Sequence, residues 1–254
     1  MNIHIPDDHP RKNSLILREK IADASKEGLL APVAAIAHGR GEAFDYLLGE
    51  KTINSAKKAI VLAAKLLLST EHPVISVNGN TAVLARDDLL RLAKELHCPI
   101  EINIFYRTEE RIQKLFNYLK NDSGVTILGK SPDSMIPNLS SERAKSSKAG
   151  IFSADVVFVP LEDGDRCEAL VKMGKKVIAV DLNPFSRTAR TATLTIVDNV
   201  TRAVKLLVEE VKSLKKQNFK DFSDIIDNGE FLNGAVDEIK ARIDEFKKEA
   251  VIKF

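Results

Sequence analysis

The sequence predicts an α/β fold, Rossmann-like, with a mainly parallel sheet and helices on both faces, plus helical N-terminal and C-terminal segments. Three observations predict it: short apolar runs without a polar face recur from residue 73 onward, segments of helical apolar spacing alternate with them, and polar turn-forming clusters follow the strands. Strands that are apolar on both faces belong to sheets covered on both sides. Right-handed crossovers then bring every strand's C-terminal end to one edge.

The elements follow in order. A first helix is expected over about 14–27, capped by Ser14 and closed by Gly28. A second is expected over about 41–48, ended by Gly49, and a third follows Thr52 with Ile53, Ala56, Ile60, Ala63, Ala64 and Leu67 on one stripe. Then come a strand at 74–77, a helix at about 81–96, a strand at 99–105, a helix with Ile112, Leu115, Phe116 and Leu119 inward, and a strand at 125–128. After a polar stretch over 130–148, strands are expected at 155–160, 176–180 and 193–197, with a helix at 163–173 between the first two and a long helix from about Asn199. The last helix, about 233–248, carries Leu232, Ala235, Val236, Ile239, Ile243 and Phe246 at coiled-coil-like spacing, which suits packing on its own domain or a subunit interface equally. The 254 residues are read as one domain: a helical part at 1–72, an α/β core at 73–205 and C-terminal helices at 206–254.

Composition narrows the class. Hydrophobic residues make up 44% and charged residues 29%, as in an ordinary folded protein. A net charge of +2 is too small to call for nucleic acid or a membrane surface, and no apolar run is long enough to span a bilayer. Two cysteines, Cys98 and Cys167, build neither a disulfide framework nor a metal site. The N-terminus, Met1-Asn2-Ile3-His4-Ile5-Pro6, is polar and broken by proline, unlike a secretory signal. A cytoplasmic protein is expected.

Ligands of an open parallel sheet bind beyond the carboxyl ends of its strands, and five such ends are polar here. They are Asn78-Gly79-Asn80; Asn103 with Arg107 and Arg111; Glu162-Asp163-Gly164-Asp165-Arg166; Asp181-Leu182-Asn183-Pro184 with Ser186-Arg187-Thr188; and Asp198-Asn199-Val200-Thr201-Arg202. The arginines suit phosphate or carboxylate, and the amides of Asn80, Asp163 and Asn199 stand near helix starts that favour anions. Neither G-x-G-x-x-G after a strand nor G-x-x-x-x-G-K-[ST] occurs. His38-Gly39-Arg40-Gly41-Glu42 lies between two predicted helices; its glycines allow either a plain turn or close backbone approach to a ligand clamped by Arg40. Pattern alone favours the turn, and it favours surface placement for Arg18. Asp163 and Asp165 have the spacing of helix-start acids and, weakly, of Mg²⁺ ligands.

Several blocks occur in an order that resembles a known family. They are Ile5-Pro6-x-x-His9-Pro10-Arg11, the run Ile36-Ala37-His38-Gly39-Arg40-Gly41-Glu42-Ala43-Phe44-Asp45-Tyr46-Leu47-Leu48-Gly49-Glu50, and Pro73 to Asn80. Val159 to Arg166, Asp181 to Ala189 and Ile196 to Ala203 complete the set. The chain resembles the archaeal phosphopantothenate synthetase family, 4-phosphopantoate–β-alanine ligases, over about residues 5–205. The resemblance implies an ATP-dependent ligase of coenzyme A biosynthesis that makes 4′-phosphopantothenate, AMP and pyrophosphate through an acyl-adenylate, and that acts as a homodimer; the repulsion between the two anions adds Mg²⁺ as an expected cofactor. It implies ATP contacts at Arg18, Arg40, Asp181, Leu182, Asn183, Arg187, Thr188, Asn199 and Val200. Phe185 stands where the family usually has leucine, a mild apolar change.

With that resemblance, Arg40, Arg187 and His38 are the expected catalytic groups. Asn78, Asn80, Arg107 and Arg111 are expected on the substrate side, from position and charge. Asp181 and Asn183 are expected to hold the nucleoside at the end of their strand. The base that takes the amine proton is left open between a carboxylate and His38. A kinase or other phosphoryl transferase on the same sheet, and a non-catalytic ATP-binding regulator, are the competing readings.

Overall fold

The computed structural model describes residues 5–9, 11–120, 124–219 and 224–252, the last four without their side chains. Residues 1–4 and Pro10, on which the N-terminal readings partly rest, lie outside these. Among the described residues the chain begins with three helices, α1 (Lys12–Lys26), α2 (Ala34–Leu48) and α3 (Asn54–Leu68). The core continues as β1 (Pro73–Val77), α4 (Gly79–Leu96), β2 (Ile100–Ile102), α5 (Glu109–Leu119) and β3 (Ile127–Leu128). A small antiparallel hairpin of β4 (Ser134–Met135) and β5 (Lys145–Ser146) follows, then a π-turn at Lys148–Phe152. The chain re-enters the sheet as β6 (Val156–Pro160), α6 (Gly164–Lys172), β7 (Lys176–Val180), α7 (Arg187–Thr191) and β8 (Leu194–Ile196). It ends in α8 (Val200–Lys216) and α9 (Asn228–Ile252).

The main sheet has the order β3-β2-β1-β6-β7-β8, every neighbour parallel. Alternate residues feed two cores, as the two-residue period of a strand requires. Ile75, Val156, Phe158, Ile178 and Val180 face the core built with α1, α3, α4, α5, α8 and α9. Val74, Val157, Val159, Val177 and Ala179 face a smaller core with Cys167 and Leu170 of α6. The larger core contains Ile21 and Ile60 from the helical beginning and Phe231 and Ala235 from the last helix, so it runs through all three parts of the chain.

The chain winds outward from β1 to β3, then returns to β1's other side at β6. That reversal between β1 and β6 is a topological switch point, where the connections leave a crevice above the strand ends.

Three expectations need correction. Ser14 does not cap α1: Arg11 holds the cap position and no side chain closes it. The helix read from Gly41 begins at Ala34, so His38, Gly39 and Arg40 lie inside α2 and not in a turn between helices. The polar stretch at 130–148 contains the hairpin, whose two-residue strands are too short to show any periodicity. Gly49 does end α2 as read, with φ of 82° in the left-handed region that glycine adopts without strain.

Candidate active site

A cavity of about 420 Å³ lies at the switch point. Its wall comes from five places: His38, Arg40, Gly41 and Glu42 on α2; Asn78 and Asn80 at the start of α4; Leu161 to Gly164 between β6 and α6; Asp181 to Asn183 and Ser186 to Thr188 after β7; and Asn199 with Val200 at the start of α8. Four of the five polar strand ends thus meet around one space.

The turns at these ends are held by their own side chains. Asn78 caps α4, its Oδ1 accepting from Thr81 N at 3.0 Å, while its Nδ2 donates to the carbonyl of Leu161 at 2.6 Å. This bond crosses the switch point and fixes β1's exit against β6's. Leu161 itself has φ of 63°, a strained conformation for a leucine, at the cavity wall. Thr188 Oγ1 donates to the carbonyl of Glu162 at 2.9 Å, tying the β7 exit to the β6 exit. Asn199 caps α8 by accepting from Thr201 N at 3.1 Å. The long helices α4, α6 and α8 therefore all begin at the cavity, each with free amide groups and a partial positive charge in its first turn.

Asp181 accepts from Ser186 Oγ and from Asn183 N at 2.9 Å. Burial pushes its pKa above the usual carboxylate value, and the two hydrogen bonds and the charge of Arg40 pull the other way. A carboxylate so fixed suits a pair of sugar hydroxyls. Arg40 is exposed and, among the described residues, makes no hydrogen bond or ion pair. Arg187 pairs with Glu168 across α6, and its stem packs over Gly164, where an added Cβ would stand 2.7 Å from its Cβ and Cγ. Gly164→Ala is therefore expected to push Arg187 off its position. Activity should fall at least about tenfold, with melting temperature little changed; wild-type turnover would show that Arg187's placement does not matter.

Beneath the cavity floor sits a buried ion network. Glu162 accepts from Arg143 at 2.5 Å and from Arg166, and Arg143 also reaches Asp163 at 2.7 Å. Arg166 continues to Ser76 at 2.9 Å, and Arg143 to Asn103 at 3.1 Å. Behind it, Glu101 of β2 accepts from the amides of Ser147 and Ile151 at 2.8 and 2.7 Å, and burial pushes its pKa up. The hairpin and π-turn are thus anchored to the sheet by charges.

Not every expected residue reaches the cavity. Arg18 lies in an adjoining depression that also contains His38 and Glu42, its Nε 2.8 Å from Glu42 Oε2. Arg107 donates to the carbonyls of Gly129 and Lys130 at 2.8 and 3.2 Å, away from the cavity wall. Arg111 donates to the carbonyls of Tyr106 and Leu29 behind the start of α4, and burial lowers its pKa. Asn103 is buried and donates to the carbonyls of Arg143 and Lys145, so the end of β2 fastens the hairpin.

The sequence model of the family described as phosphopantothenate/pantothenate synthetase matches residues 55–242. The chain belongs to the phosphopantothenate/pantothenate synthetase family. Relatives of the chain carry the name 4-phosphopantoate–β-alanine ligase. The one from Thermococcus kodakarensis is 48% identical over 98% of this chain and 97% of its own. The one from Methanosarcina mazei is 47% identical over 94% and 95%, and the one from Methanospirillum hungatei 46% identical over 94% and 98%.

Sequence reading missed some of this synthetase's site. Glu42 lines the cavity, and Asp45, one turn further along α2, accepts from Arg202 at 2.6 Å and from Asn199 Nδ2 at 3.1 Å. Arg202 also binds Asp198, so three charges lock α2 to the start of α8. Three- and four-residue spacing of His38, Glu42 and Asp45 along one segment was the available signal. Among the described residues no helix is long and apolar enough to cross a membrane, and no group of three or more His, Cys, Asp or Glu side chains lies together as a metal site.

Proposed function

We propose that this synthetase joins 4-phosphopantoate to β-alanine at the expense of ATP, in coenzyme A biosynthesis, releasing AMP and pyrophosphate through an acyl-adenylate. The observation that carries the reading is the convergence of three long-helix starts with Arg40 and Arg187 on one cavity at the switch point. Such a site collects anionic oxygens from more than one ligand.

Asp181 and Asn183 would take the ribose, and the amides around Asn199 and Val200 the phosphates, with Leu182 packed against the nucleoside and Thr188 at its edge. Asn78 and Asn80 stand on the opposite wall, toward the acid substrate; Asn80 Oδ1 is buried and has no partner. An anionic carboxylate must attack an anionic α-phosphate, and Arg40 and Arg187 offset that repulsion as charge grows on the reacting phosphorus. Holding both anions in one rigid cavity removes much of the entropic barrier. Mg²⁺ commonly binds through one or two carboxylates plus phosphate oxygens. Asp163, half-exposed with one oxygen held by Arg143, fits that demand, and the ion would supply further charge neutralisation.

The chain would act as one domain and as a homodimer in the cytoplasm. Exposed apolar side chains on α2 and α9 support the dimer: Ile36 is 74% exposed and Phe246 69%, and Leu47 and Ile243 are exposed as well. Buried, unpaired Cys98 and Cys167 suit a reducing compartment.

Incubating the purified protein with ATP, 4-phosphopantoate and β-alanine tests the reaction directly. AMP, pyrophosphate and the amide should appear in equal amounts. Release of ADP would point to a phosphoryl transferase, and tight ATP binding without amide formation to a regulator.

A further inference from the structure

Two buried polar atoms face each other in the cavity wall without touching. His38 and Glu42 are four residues apart on α2 and so share one helix face. Their side chains are 9% and 10% exposed, and His38 Nε2 lies 3.9 Å from Glu42 Oε1, too far for a hydrogen bond. Neither atom has another partner. Buried polar atoms are nearly always paired, so two unpaired ones on neighbouring residues of the cavity wall call for a ligand atom as partner. The other oxygen, Glu42 Oε2, accepts from Arg18 at 2.8 Å, which fixes the carboxylate and leaves Oε1 turned toward His38.

The gap selects its occupant by charge and size. A nitrogen about 2.8 Å from both atoms would stand beside the line joining them, in a space that opens when the two buried side chains part. A carboxylate oxygen and an unprotonated imidazole nitrogen both accept hydrogen bonds, which suits a group with several donors and repels phosphate. Burial holds the His38 pKa below its ordinary value of 6.5, reinforced by Arg18 and opposed by Glu42, so the ring is neutral at neutral pH.

We infer that His38 and Glu42 receive the amino group of β-alanine, Glu42 Oε1 binding its ammonium and His38 Nε2 taking one proton from it. The assignment rests on the ligase reading above. Once neutral, the amine nitrogen forms a bond to the acyl carbon of the adenylate. The bond from that carbon to the phosphate oxygen breaks, AMP leaves, and the nitrogen's second proton goes to the departing phosphate. His38 returns its proton to water. Glu42 stabilises the imidazolium between these events.

The two half-reactions can be separated. Phosphopantoate-dependent exchange of labelled pyrophosphate into ATP needs no amine. Hydroxylamine, already unprotonated at neutral pH, traps the adenylate without a base. Glu42→Gln keeps an oxygen for Arg18, and His38→Gln keeps a polar side chain of similar reach. Both variants are expected to lose about a hundredfold in kcat/KM for β-alanine, while exchange and hydroxamate formation stay within threefold of the wild type. Parallel loss of exchange, or of hydroxamate formation, would mean that the pair supports adenylation or folding, and the assignment would fall. Unchanged ligation in both variants would overturn it as well. Absence of exchange in the wild-type protein itself would instead remove the adenylate reading, and with it this role.

Discussion

Replacing Glu162 by alanine is expected to lower the melting temperature by roughly 10 °C. The Glu162 side chain is fully buried and sits between two arginines that are themselves buried, Arg143 and Arg166. Each guanidinium has lost its water, and the carboxylate is the main compensation for both. Removing one partner of a buried pair leaves uncompensated charge and destabilises by about 3–5 kcal/mol. Here two arginines share the partner, and Arg166 Nε is already without a hydrogen bond. Arg143 retains Asp163, so Arg166 bears most of the loss. Glu162→Gln keeps the acceptor geometry on one side and should fall between alanine and wild type. Glu110→Ala, which removes the exposed pair with Lys114, is the control and should leave the melting curve where it is. If Glu162→Ala unfolds no earlier than Glu110→Ala, the network is not what holds the hairpin and the β6 exit together.

This network also shows where sequence reading stops. The strands of the sheet were legible because β1, β6 and β7 are almost wholly apolar and buried. Their polar ends were legible because a parallel sheet gathers them on one edge. Glu101 was not, since a carboxylate in the middle of a strand satisfies itself through main-chain amides 46 and 50 residues away, and no local pattern encodes that. Arg143 was hidden for the same reason: it belongs to a polar stretch, yet its partners lie just after β2 and just after β6. The start of α2 was misplaced because its inward positions are Glu42, Asp45 and Leu48, two of them charged. Apolar periodicity reads such a face as outside. The two glycines, each unfavourable in a helix by about 1 kcal/mol, added to the impression of a turn. Packing at Leu48 and the ion pairs of Asp45 override that propensity. Of that charged inner face, Glu42 lines the cavity and Asp45 is held by Arg202.

The same helix carries the second large effect. Arg40→Ala is expected to cut phosphopantoate-dependent ATP–pyrophosphate exchange roughly 100- to 1000-fold, as loss of one preorganised charge donor at a reacting oxyanion does. The melting temperature should move by no more than a degree or two, because Arg40 is exposed and, among the described residues, holds no other group in place. That contrast separates it from its neighbours. Arg18 is committed to Glu42 and Arg187 to Glu168, so each must give up or share a partner before meeting a ligand. Arg40 has nothing to exchange, and its charge already reaches Asp181 across the cavity. The loss should appear in the exchange rate at saturating ATP, more than in ATP affinity, if the guanidinium acts on the growing charge of the α-phosphate. Arg40→Lys keeps the charge but not the planar fork, and should recover only part of the rate. Near-normal exchange in Arg40→Ala would take Arg40 out of the reacting centre and leave Arg187 and the helix starts to carry the anions alone.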